Sequence, residues 1–141
     1  MNYSTNDDIL LEISEEDLAK LTGDTTGMTV DYDQIEAARN SSDELITSYL
    51  SNGYTITESF VNPLVTKISV DLTIAALYEQ AKKNTMMPET IALRKKNALS
   101  ILERIRKGEI LISSARTKTI FSNITGARIF DKQTLAEYSG N

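Results

Sequence analysis

Residues 67–80 read Lys67-Ile68-Ser69-Val70-Asp71-Leu72-Thr73-Ile74-Ala75-Ala76-Leu77-Tyr78-Glu79-Gln80, and the two halves disagree. Ile68, Val70, Leu72 and Ile74 alternate with polar residues, the period of a half-buried strand. Ala75 to Gln80 have the composition of a helix. Asn62-Pro63, just upstream, decides between them. Asn is a good helix cap, and Pro at the first helical position costs no hydrogen bond. On a helix starting there the apolar residues separate into two stripes. One is Leu64, Ile68, Leu72 and Ala75; the other is Val70, Ile74, Leu77 and Ala81. Positions 68 and 70 lie about 200° apart around a helix, so the stripes face opposite ways. A helix apolar on two sides packs between neighbours. A strand would need a partner, and no convincing one exists nearby. The helix is expected to run to about residue 83, with Lys82 and Lys83 suiting its C-terminal dipole and Asn84 ending it.

Outward from this rod the remaining signals are also helical. Thr5-Asn6-Asp7-Asp8 and Ser14-Glu15-Glu16-Asp17 read as capping boxes for two short helices, near 6–12 and 15–22. Asp31 caps a third helix to about Leu50, with a stripe of Ile35, Ala38, Leu45, Ile46, Tyr49 and Leu50. Asn52-Gly53 should stop it through left-handed backbone at Gly53. Residues 54–61 are β-branched and irregular, a loop or short extended piece. Pro88 opens a fifth helix to about Lys107, with Ile91, Ala98, Ile101, Leu102 and Ile105 facing inward and Gly108 as its stop. The expected fold is all-α: a small bundle of three long helices and two short N-terminal ones, spanning residues 1–111. Residues 112–141 read differently. They are rich in Ser, Thr and Arg, with Ile120-Phe121 and Ile129-Phe130 at intervals. This is the pattern of an extended C-terminal arm whose apolar residues dock elsewhere, by adding a strand to a sheet edge for example.

Composition limits the chemistry. The chain has 141 residues, enough for one domain, and contains neither Cys nor His. That removes thiolate nucleophiles, disulfides, the commonest general base and the commonest metal ligand. Adjacent acids such as Glu16 with Asp17, or Asp43 with Glu44, diverge by about 100° on a helix and do not converge on a substrate. Asp24 and Gly27 share a corner of a calcium loop, but the alternating oxygen ligands and terminal Glu are missing. No enzyme activity, metal or cofactor is expected. No apolar run is long enough to span a membrane, and no secretory leader is evident.

Charge is divided along the chain. Residues 1–60 hold thirteen acids and two bases, whereas residues 61–141 hold seven acids and thirteen bases. A molecule with an acidic and a basic face can pair head to tail with copies of itself. The candidate basic face is Arg94, Lys95, Arg104, Arg106 and Lys107. The candidate acidic face is Asp7, Asp8, Glu15, Glu16, Asp43 and Glu44. The alternative is a small nucleic-acid-binding regulator using residues 94–132, which hold ten bases against three acids.

The order of these features resembles the Mu-like head–tail connector (adaptor) family of tailed bacteriophages. The family's Thr-x-Glu-Asp-Leu opening is approached by Thr5-Asn6-Asp7-Asp8-Ile9. Its Glu-Glu-x-Leu-x-x-Leu-Thr is matched by Glu15-Glu16-Asp17-Leu18-Ala19-Lys20-Leu21-Thr22. Val30-Asp31, then Ile46-Thr47-Ser48-Tyr49-Leu50 and Tyr54, follow in family order. So do Leu72-Thr73-Ile74-Ala75 with Leu77-Tyr78, and Leu102, Ile105 and Gly108. Arg128-Ile129-Phe130-Asp131-Lys132-Gln133-Thr134-Leu135 is similar to the family's Arg-x-Phe-x-Arg-x-x-Leu. The chain departs from the pattern where Thr55-Ile56-Thr57 lacks a family Pro, and near Lys95, where a Tyr is common.

The resemblance implies a non-enzymatic ring of about twelve copies in heterologous contact. The ring would join the portal protein to the next neck or tail component, in the virion, after synthesis in the host cytoplasm. DNA would pass through its lumen without specific binding, and no membrane would be involved. The arm, with Phe121, Ile129, Phe130 and Leu135 as its anchors, would reach the portal.

Overall fold

The computed structural model describes residues 2–24, 26–57, 60, 62–81 and 87–112, and the backbone of 116–117. The described residues form five helices: α1 (Asn6–Leu10), α2 (Glu15–Leu21), α3 (Tyr32–Leu50), α4 (Pro63–Gln80) and α5 (Glu89–Arg106). The all-α reading holds, and residues 67–80 are helical throughout their length. The caps explain where the helices begin. Thr5 accepts the Asp8 N–H while Asp8 returns a bond to the Thr5 N–H, a full capping box. Ser14 accepts from the Asp17 N–H, without the reciprocal bond the sequence suggests. Asp31 caps α3, and the Asn62 side chain accepts the N–H groups of Leu64 and Val65. Pro88 is itself the residue before α5 and offers no side-chain cap. Residues 82–84, the expected last turn of α4, lie outside the described residues.

α4 is the axis of the molecule. Ten of its 18 residues are buried, against three of 18 in α5. Its two stripes serve two separate cores. Val65, Ile68 and Leu72 pack with Ile46 and Leu50 of α3 and Leu102 and Ile105 of α5. Val70, Ile74 and Leu77 pack with Leu18 and Leu21 of α2 and Ile35 of α3. At about 1.5–3 kcal/mol for each fully buried large aliphatic side chain, this burial outweighs the strand propensity of Ile68–Ile74.

Three local expectations change. Leu45 is 40% exposed and lies beside, not on, the buried stripe of α3. It precedes Ile46 by about 100° of turn, which carries it round toward solvent. Gly53 does not adopt left-handed backbone; its N–H returns to the Leu50 carbonyl at 3.1 Å, whereas Gly108 does stop α5 with φ 83°. Finally, Ile112, the first residue of the expected arm, is 4% exposed and belongs to the α3–α5 core. Its N–H donates to the Tyr54 hydroxyl at 3.2 Å. A two-residue strand β1 (Tyr54–Thr55) pairs antiparallel with β2 (Arg116–Thr117), so the chain leaving the bundle is first tied to the bundle itself.

Candidate interaction surfaces

The six acids of the candidate acidic face separate into three kinds. Asp7, Glu15, Glu16 and Glu44 are exposed. Asp8 is half-buried and committed to its cap. Glu16 lies 3.6 Å from Lys20, and Glu15 accepts from the Tyr32 hydroxyl at 3.4 Å. Asp43 is 2% exposed, so it is no part of a surface. Helix α3 turns it inward, where the segment preceding α1 closes over it. Its Oδ2 accepts the Tyr3 N–H at 3.0 Å and its Oδ1 accepts the Ser69 hydroxyl at 2.6 Å. Ser69 has a single hydroxyl proton, so Ser4, 2.7 Å away, donates to Ser69. The Tyr3 and Thr47 hydroxyls are bonded at 2.7 Å. Burial raises the Asp43 pKa, opposed by the Ser69 and Tyr3 bonds and by the charge of Arg39. Burial raises the Tyr3 phenol as well; the Thr47 bond opposes this and the Asp43 charge adds to it.

The five residues of the candidate basic face are all paired within the chain. Arg94 reaches Glu12 at 2.8 Å and stands 3.9 Å from Asp71; Lys95 bonds Glu79. Arg104 meets Glu109 at 3.4 Å, and Arg106 and Lys107 share Glu103. The Arg106 bond lowers the Glu103 pKa, and Glu103 in turn raises that of Arg106. The charge division therefore closes partly inside one molecule, where Arg94 of α5 meets Glu12 just beyond α1. A phosphate-binding stripe works best with cations free of carboxylates. The described part of residues 94–132 does not present one. The arm anchors Phe121, Ile129, Phe130 and Leu135 lie outside the described residues.

Asp24 holds the turn between α2 and α3 together. Its Oδ1 accepts the N–H of Thr26 at 2.9 Å and the Thr26 hydroxyl at 2.5 Å; its Oδ2 accepts the N–H groups of Met28 at 3.2 Å and Thr29 at 2.7 Å. These bonds, the Thr26 hydroxyl first, bring its pKa down to about 2. Both oxygens are filled by the chain's own donors. Among the described residues no group of three or more His, Cys, Asp or Glu side chains could hold a metal ion. None of the described helices is long and apolar enough to cross a membrane.

Sequence reasoning missed a groove of 320 Å³ between α1 and the first half of α4. Leu11, Pro63 and Val70 supply its apolar wall, and Asp8, Glu12, Lys67 and Asp71 its charges. Leu11 is 83% exposed. Asp71, 5% exposed, bonds Lys67 at 2.8 Å through Oδ2, and its Oδ1 has no hydrogen-bond partner. The spacing of Lys67 and Asp71, one turn apart, was the available signal.

No curated protein matches the chain. The family model described as "Bacteriophage Mu, Gp36" matches residues 3–128, which includes all five described helices, the Asp43 seam and the groove. By that match the chain belongs to the bacteriophage Mu Gp36 family.

Proposed function

We propose that this chain is a structural head–tail connector of a tailed phage, without catalytic activity. Copies form a ring of about twelve that joins the portal to the next neck or tail component, and DNA passes through the lumen. The reading rests on the family match over residues 3–128. Its location is the neck of the virion, after synthesis in the host cytoplasm.

In this reading the surface residues carry the ring contact. The exposed acids Asp7, Glu15, Glu16 and Glu44 are available to a neighbour. The ion pairs of Arg104, Arg106 and Lys107 are all at least one-third exposed, and can exchange partners at low cost. Such contacts steer association more than they tighten it. The arm, through Phe121, Ile129, Phe130 and Leu135, supplies the grip on the portal.

Light scattering of the chain alone and with a portal tests this. A complex whose mass rises by a ring of copies is expected. A mass equal to the sum of non-interacting components would refute it. A gel shift with random DNA at low and moderate salt should show no discrete complex.

A further inference from the structure

We infer that the outward face of α3 is the docking site for the outward face of α5 on a second copy of the chain. The inference rests on the ring reading above for its partner, and it names the surfaces by which one copy meets the next. On α3 the buried residues Ile35, Ala38, Ser42 and Ile46 fix which side turns inward. Opposite them, at about 100° per residue, Asp33, Glu36 and Glu44 fall within an arc of about 80°. All three are exposed, and none forms an ion pair among the described residues. In this they differ from Glu15 and Glu16, which are engaged by the Tyr32 hydroxyl and by Lys20. Arg39, the one base of α3, is turned away from the arc and donates to Asn6 at 2.7 Å.

Helix α5 and its C-cap Lys107 present the counterpart. Ala98, Leu102 and Ile105 point into the core, and Lys96, Arg104 and Lys107 fall within about 80° on the far side, all exposed. Lys96 forms no ion pair among the described residues. Arg104 lies 3.4 Å from Glu109 and Lys107 4.0 Å from Glu103, exposed pairs that exchange partners at low cost. Each trio covers the same length of helix, from 33 to 44 and from 96 to 107, about 16 Å. The two stripes thus match in extent and oppose in sign, the complementarity that steers and orients association. The residues between the charges are short, Ala37, Asn40 and Ser41 on α3 and Asn97 and Ser100 on α5, so the helices can approach closely. Leu93, one turn before Lys96 on the same face, is 55% exposed and would be covered in the contact. A nucleic acid would neutralise the α5 stripe alone and leave the α3 acids facing water; a second copy satisfies both. Because the two faces belong to different helices, the contact is heterologous, and repeating it leads from each copy to the next.

Charge exchange in the full-length chain, followed by sedimentation velocity at low salt, tests this. The wild-type chain should self-associate, with an affinity that falls at least about tenfold as salt rises from about 0.05 to about 0.5 M. Glu36→Lys with Glu44→Lys (the α3 variant) and Lys96→Glu with Arg104→Glu (the α5 variant) should each associate at least about tenfold more weakly. Mixed in equal amounts, the two should associate again, because each reversed face now meets its complement on the other variant. Glu36→Gln with Glu44→Gln, which only removes charge, should give a smaller loss in the same direction. Asp7→Lys with Glu15→Lys makes the same change in net charge and should associate like wild type. A chain that stays monomeric at about 0.1 mM in low salt would overturn the inference. So would a mixture that remains dissociated, or an equal loss from the Asp7 and Glu15 pair, which would move the contact to α1 and α2. Random DNA bound by wild type and released by the α5 variant would assign the basic face to phosphates instead. Matching circular dichroism and thermal midpoints confirm that the variants fold. Adding a portal separates this inference from the connector reading. Wild-type loading by both reversed variants would leave the connector standing and sink this contact, whereas charge-exchanged association with no mass gained on the portal would do the reverse.

Discussion

Two regions of this molecule use the same kinds of polar side chain to different ends. On the inner side, Asp43, Ser69, Ser4 and Tyr3 form a buried seam that fastens the segment before α1 to α3 and α4. On the outer side, α5 and its exit carry three ion pairs at exposed positions, from Arg104, Arg106 and Lys107. The outer pairs hold the larger charges, yet the inner seam contributes more to specifying the fold. In water an exposed pair is worth about 0–1 kcal/mol, because solvent and salt screen it. In the interior the same groups have no water to fall back on, and each orphaned donor costs on the order of 1–3 kcal/mol.

The largest effect should come from Asp43→Ala. It leaves the Tyr3 N–H and the Ser69 hydroxyl without their acceptor, and urea unfolding should show a loss of about 2–4 kcal/mol. Ser69→Ala keeps the Tyr3 bond but frees one carboxylate oxygen, and about 1–2 kcal/mol should be lost. If either variant were neutral, the seam would be ornament and the comparison would collapse.

The two regions should also differ in the sign of their pH dependence. Asp43 has a raised pKa, so the folded state holds its proton more tightly than the unfolded chain does. Its contribution is greatest below the ordinary Asp value of about 3.9 and is lost as pH rises through the raised folded value. Asp24, at about 2, behaves in the opposite way: its contribution is present above the ordinary value and is lost as pH falls toward 2. Urea midpoints measured from pH 2 to pH 7 should therefore lose their downward limb above about pH 4 in Asp43→Asn. They should lose part of the acid-side rise in Asp24→Asn. Both variants flattening the same limb would contradict the assignment. The smallest effect belongs to Arg106→Ala, less than about 0.5 kcal/mol in urea unfolding at moderate salt, since its pairing with Glu103 is exposed. A loss comparable to that of Ser69→Ala would erase the distinction between the two regions.

Much of the fold was readable because its signals are local. Thr5, Ser14, Asp31 and Asn62 each cap the helix that follows them, and the two stripes of α4 can be counted without knowing what they touch. The seam could not be read in the same way. Asp43 sits in the polar run Asn40-Ser41-Ser42-Asp43-Glu44, where nothing marks one acid as buried. Its partners lie 40 and 26 residues away, at Tyr3 and Ser69. The pairing of the basic residues within the chain was hidden for a related reason. Arg94 finds Glu12 across 82 residues, so a cluster of positive charge in the sequence is neutralised by a tertiary contact. Ile112 belongs to the bundle because the chain turns back over Tyr54, while its Ser- and Thr-rich surroundings read as arm.

Amide hydrogen exchange along α4 tests the central claim most directly. A rod clasped on both flanks should exchange only when the whole bundle unfolds, so the amides of Ile68–Leu77 should be the slowest in the molecule, with free energies matching global unfolding. Protection in Ile68–Ile74 no greater than in the single-turn helix α1 would contradict it, and with it the two-core architecture.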